Sequence, residues 1–104
     1  MIMKLMTKEL EAKLPPLDAN EELGNDAVAL VKYFTPDADW TWYATEYDPD
    51  AKQFFGLVDG FERELGYFNL EELETLRGPL GLAVERDLYW KPTPLKSLLE
   101  PTLA

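Results

Sequence analysis

Two pairs of acids, Asp37-x-Asp39 and Asp48-x-Asp50, are the most chemically suggestive spacing in this chain. Each pair sits beside a proline in a polar stretch, "TPDAD" and "DPDAK". Oxygen ligands presented from a turn suit a hard divalent cation, but neither pair continues into the calcium-loop pattern of spaced acids, glycine and a distal glutamate. A pair of carboxylates could also do acid–base work of the glycosidase kind. With twenty acids in 104 residues, some pair will always be close, so the spacing has little specificity. Asp beside Pro is ordinary turn chemistry.

Other catalytic chemistries lack their residues. There is no His and no Cys, and the one Ser, Ser97, has no imidazole to activate it. The triad and thiolate mechanisms therefore have no nucleophile–base pair, and imidazole and thiolate metal sites have no ligands. No phosphate-cradling glycine loop occurs in "FFGLVDGFERELG". The expectation is a protein that is not an enzyme and uses no cofactor and no metal.

What remains is charge and aromatic surface. Twenty acids face ten bases, and the excess is concentrated. Residues 18–50 hold nine acids and one base, Lys32, a net of −8. Nucleic acid and anionic membranes are disfavoured partners, because neutralising phosphates requires a Lys/Arg patch. A basic protein surface is the complement. The candidate partner-binding residues are Glu21, Glu22, Asp26, Asp37, Asp39, Glu46, Asp48 and Asp50, joined by Tyr43 and Tyr47. Tyrosines at a wet rim are frequent interface residues.

The elements that must position these groups read as follows. The length and an apolar fraction of 46% suit one domain, residues 1–104, with one core. "TKELEAKL" (7–14) reads as an amphipathic helix capped by Thr7 and stopped by Pro15-Pro16. "AVALVKYF" (27–34), "WTWYATEY" (40–47), "QFFGLVDGF" (53–61), "ERELGYF" (62–68) and "LAVERDLYW" (82–90) read as strands. Gly56 and Gly60 are expected at bulges or close approaches. "NLEELETLRGP" (69–79) reads as the main helix, capped by Asn69 and stopped by Gly78-Pro79. "TPLKSLL" (93–99) reads as a last short helix with Thr93 as cap. The fold class is α+β: an antiparallel sheet of four or five strands in meander order, one main helix packed on it, and short terminal helices.

By strict alternation along 40–47, Trp40, Trp42 and Ala44 face the core, while Thr41, Tyr43, Thr45 and Tyr47 share the other side. If the helix covers one side only, the tyrosine face is open. No apolar run spans a membrane, and "MIMKLM" is too short for a signal peptide, so a cytoplasmic location is expected.

"TWYATEYD", "FFGLVDGFERELGYFNLEELETLRGPLGLAVERDL" and "TPL" resemble a family of small bacterial proteins of unknown function. The resemblance runs from about residue 4 to residue 99. It carries no established catalytic residues. It implies a setting on plasmids, integrative elements and phages, near antirestriction-type genes. The functional expectation is a non-enzymatic acidic inhibitor of a basic, nucleic-acid-binding defence protein, anti-CRISPR or antirestriction in type. The alternative is an accessory module that binds another element-encoded protein through an aromatic sheet face.

Overall fold

The computed structural model describes residues 4–99. The opening Met1–Met3, read above as part of a short apolar start, lie outside the described residues. A meander of four strands forms the frame: β2 (Val31–Phe34), β3 (Thr41–Asp48), β4 (Gln53–Asp59) and β5 (Arg63–Asn69). Each pairs antiparallel with the next, as short turns require. β6 (Glu85–Arg86) adds to the free side of β2, giving five strands in the order β5-β4-β3-β2-β6. A second sheet joins β1 (Val28–Ala29) to β7 (Thr93–Pro94).

The strand expected over 27–34 is thus split. Leu30 sits between β1 and β2, and its N–H donates across to the Ala44 carbonyl at 2.8 Å. The chain changes sheet there, which is why both of its faces are apolar. The strand expected over 82–90 shortens to the two residues of β6.

The expected main helix is not confirmed: among the described residues no helix reaches seven residues. α2 covers Leu70–Thr75, six residues, although Asn69 caps it as read, accepting from the Glu71 N–H at 2.8 Å. Leu76 is extended, and Arg77 bridges to Ala83. Tertiary contacts override the helical pattern here. Asp37 Oδ2 accepts from the Leu80 N–H at 2.7 Å and fixes the 78–82 turn against the β2–β3 connection. Thr75 Oγ1 bonds back to the Glu71 and Glu72 carbonyls, where a β-branched residue is a poor continuation. α1 (Lys8–Lys13), capped by Thr7, a 3-10 helix (Glu21–Asp26) within the acidic segment, and α3 (Leu95–Leu99) are the remaining elements among the described residues. α3 begins after Pro94, because Thr93 and Pro94 are taken up by β7.

Both faces of the large sheet are covered. On one, Val31, Tyr33, Trp42, Ala44, Phe54 and Phe68 pack under Leu5, Leu14, Leu70, Leu73 and Val84. Phe54 is its centre, with ring centroids 5.6, 4.6 and 5.0 Å from Tyr33, Tyr47 and Phe68. On the other, Leu57 and Tyr43 meet Ala27, Ala29, Leu95 and Trp90. A one-sided sheet with an open tyrosine face is therefore corrected.

A β-bulge changes the face assignment. The β3–β4 register shifts between Ala44 and Glu46, so Thr45 is the extra residue. Before it, Trp42 and Ala44 face the larger core as read. After it the parity inverts: Tyr47 opposes Phe54 and is buried in that same core, and Glu46 opposes Phe55 on the Tyr43 side. Gly56 makes the bulge feasible, because a Cβ there would overlap the Tyr43 carbonyl oxygen.

Burial pushes the Tyr33 hydroxyl far above the usual tyrosine range, with the Arg86 guanidinium pulling the other way. That hydroxyl donates to the Leu5 carbonyl at 2.7 Å. An unfolded tyrosine ionises near pH ~10 while the folded one stays protonated, so stability is intact below about pH 10 and falls above it. Tyr43 and Tyr47 are raised too, chiefly by burial, and add to the same slope. Urea midpoints should therefore hold to about pH 9.5 and drop steeply above about pH 10. Tyr33→Phe should flatten that decline while costing about 1 kcal/mol at neutral pH for the lost hydrogen bond.

Candidate functional site

The bulge has a second consequence. It turns the Glu46 carboxylate under the acidic segment 18–26. Glu46 is 4% exposed. Its Oε1 accepts from the Asp18 N–H at 3.0 Å and its Oε2 from the Asn20 N–H at 2.7 Å. Asn20 Nδ2 returns a bond to the Thr45 carbonyl at 3.3 Å. Asp18 holds a left-handed backbone, φ 71°, at the point where the chain turns over this carboxylate. One buried acid thus pins the most acidic loop of the molecule to the sheet.

Between the pinned loop and the sheet lies a groove of about 250 Å³. Phe55, Leu65 and Tyr67 form its floor, with Thr45 and Leu95 at its sides. Phe55 and Tyr67 meet edge to face at 5.1 Å. Alternation along β4 and β5 places these floor residues on one face, beyond the end of the Leu57–Leu95 core. Leu65 and Tyr67 stay 45% and 56% exposed on the edge strand β5. Asp18 and Glu21 form the rim.

Among the described residues, no ion pair neutralises the charges on this rim. Lys32, the one base within 18–50, is turned away to Asp87 at 3.6 Å and lies over the Trp90 ring at 5.6 Å. Lys96 pairs with Asp26 at 3.4 Å. Among the described residues, Asp18, Glu21 and Glu22 make no ion pair.

The candidate acids divide accordingly. Glu21, Glu22 and Asp26 are exposed around the groove. Asp48 ends β3 at the groove end and Asp50 lies in the turn that follows; Asp48 Oδ1 accepts from the Asp50 N–H at 3.0 Å. Asp37 and Asp39 lie at the opposite end of the eight-residue β3, roughly 23 Å away along the strand. Asp37 holds the 78–82 turn, and Asp39 is exposed. These acids do not converge on one surface. Tyr43 is half-buried against Trp90, ring centroids 5.4 Å apart, and Tyr47 is in the core. Sequence reading missed Phe55, Leu65, Tyr67 and Asp18. The alternation of Arg63, Leu65 and Tyr67 along β5 was the available signal.

Among the described residues, no group of three or more acids is placed to hold a metal ion, and no helix is long and apolar enough to cross a membrane. The sequence profile of a family described as "Protein of unknown function (DUF2958)" matches residues 5–100, across loop, bulge, groove floor and α3. The chain belongs to the DUF2958 family. Comparison with curated proteins and with solved structures finds no match. In this DUF2958 domain the groove combines an apolar floor with an acidic rim.

Proposed function

We propose that this chain is a non-enzymatic binding protein that captures a basic segment of another protein in the groove beneath the 18–26 loop. The observation that carries the reading is the juxtaposition of exposed Leu65 and Tyr67 with Asp18 and Glu21, which make no ion pair among the described residues. Aromatic anchors supply affinity and the acids supply steering and orientation. Basic surfaces are characteristic of nucleic-acid-binding proteins. Together with the mobile-element setting that the family resemblance implies, this favours a host defence protein, of the kind met by anti-CRISPR or antirestriction factors, whose nucleic-acid groove is occluded.

Imitation of a duplex is the weaker form of that idea. DNA carries one charge per ~1.7 Å of axis, while alternate residues on a strand face are ~6.6 Å apart. Glu46 and Asp37 are moreover spent on holding loops. The accessory-module reading is favoured by the same exposed Leu65 and Tyr67, and salt separates the two. Calorimetry with an amphipathic peptide alternating arginine and leucine should give saturable binding that weakens about tenfold from ~50 to ~300 mM salt. Binding indifferent to salt would favour the accessory module. Absence of any saturable binding would sink the groove reading.

A further inference from the structure

A second surface lies on the opposite face and at the other end of the sheet. Phe61, in the β4–β5 turn, is 94% exposed and stands at 82° to the Trp40 ring, centroids 5.4 Å apart. Trp40 is itself held in place. It stacks on the buried Trp42 at 6.0 Å, and the Gly60 backbone approaches so closely that a Cβ there would lie 2.3 Å from its Cζ3. The perpendicular pair and Val58 wall an open cleft of about 280 Å³, with Glu62 and Glu64 lining the same cleft. Among the described residues, neither glutamate makes an ion pair or a side-chain hydrogen bond.

We propose that the Trp40–Phe61 cleft is an arginine-binding clip: a guanidinium of the basic partner stacks on the open Phe61 ring and is met by the carboxylates of Glu62 and Glu64. The inference rests on the basic-partner reading and adds a separate anchor to it. An almost bare phenylalanine beside two acids that make no ion pair among the described residues fits a cation with a planar, weakly hydrated face. A guanidinium has that face and forks to carboxylates, whereas an ammonium is compact and strongly hydrated. The clip is partly preorganised, because Trp40 is wedged between Trp42 and Gly60 and loses little freedom on binding.

The test compares two peptides of equal length and charge, one alternating glycine with arginine and one alternating glycine with lysine, against the full chain. Aromatic resonances of Phe61 and calorimetric affinity are the readouts. The arginine peptide should bind about tenfold more tightly and shift the Phe61 ring signals. Phe61→Leu, which keeps an apolar side chain without the π face, should abolish the preference, and Glu62→Gln with Glu64→Gln should weaken both peptides. Phe61 is too exposed for Phe61→Leu to disturb the fold, and an unchanged thermal midpoint checks this. Tyr67→Ala, in the groove, should leave the arginine preference intact. Equal affinity for the two peptides, a preference that survives Phe61→Leu, or Phe61 signals that shift only with protein concentration, as in self-association, would overturn the clip. If the arginine–leucine peptide still fills the groove in that event, the clip alone has failed. If no peptide binds anywhere, both readings fall.

Discussion

Glu46→Ala should lower stability by about 3 kcal/mol and release the 18–26 loop. The carboxylate is buried and accepts two backbone N–H groups, from Asp18 and Asn20. Hydrogen bonds to a charged acceptor contribute roughly 1.5–3 kcal/mol each, but both donors lie near the loop surface, where water can replace part of the loss. For a domain of this size the thermal midpoint should fall by about 10–20 °C. Glu46→Gln keeps the shape and one acceptor oxygen, so its cost should be nearer 1–2 kcal/mol. Amide exchange resolves the mechanism: protection should vanish at Asp18 and Asn20 well before the β3–β4 ladder opens. A loss spread evenly over the molecule, or a change below about 0.5 kcal/mol for Glu46→Ala, would show that this carboxylate does not hold the loop.

Tyr67→Ala should weaken binding of the arginine–leucine peptide about 30-fold without changing stability by more than roughly 0.5 kcal/mol. Tyr67 is more than half exposed in the free chain and lies, with Leu65, on the edge strand β5. A bound partner would bury it, and centrally buried aromatics dominate interface energies. Glu21→Gln with Glu22→Gln should act differently. Those charges are exposed, so the loss should be only several-fold and should flatten the salt dependence. Asp39→Asn and Asp50→Asn, outside the groove, should change little. If the two turn acids mattered more than Tyr67, the binding surface would be the hairpin ends and not the groove.

Much of the frame was legible in the sequence. The meander follows from strands of β-branched and aromatic residues joined by Pro/Asp and Asp/Gly turns, and Thr7 and Asn69 cap the helices they precede. What failed was set by contacts distant in sequence. The helical pattern beyond Thr75 yields to the Asp37–Leu80 bond, which links residues 43 apart. Tyr47 was placed on the wrong face because strict alternation has no way to register an inserted residue, and the bulge at Thr45 is marked only by Gly56 on the neighbouring strand. The same bulge buries Glu46, whose structural role no local pattern announces. The acidic loop was visible as composition, but the groove beneath it depends on where that one carboxylate fastens the loop.

The most direct test of the groove is a map of backbone amide shifts in the 104-residue chain titrated with the arginine–leucine peptide. The largest saturable changes should fall on Asp18–Ala27, on Thr45 and Glu46, and on Phe55, Leu65 and Tyr67, all fitting one dissociation constant. Changes confined to the 35–39 and 48–52 turns, or shifts that rise linearly without saturation, would contradict it.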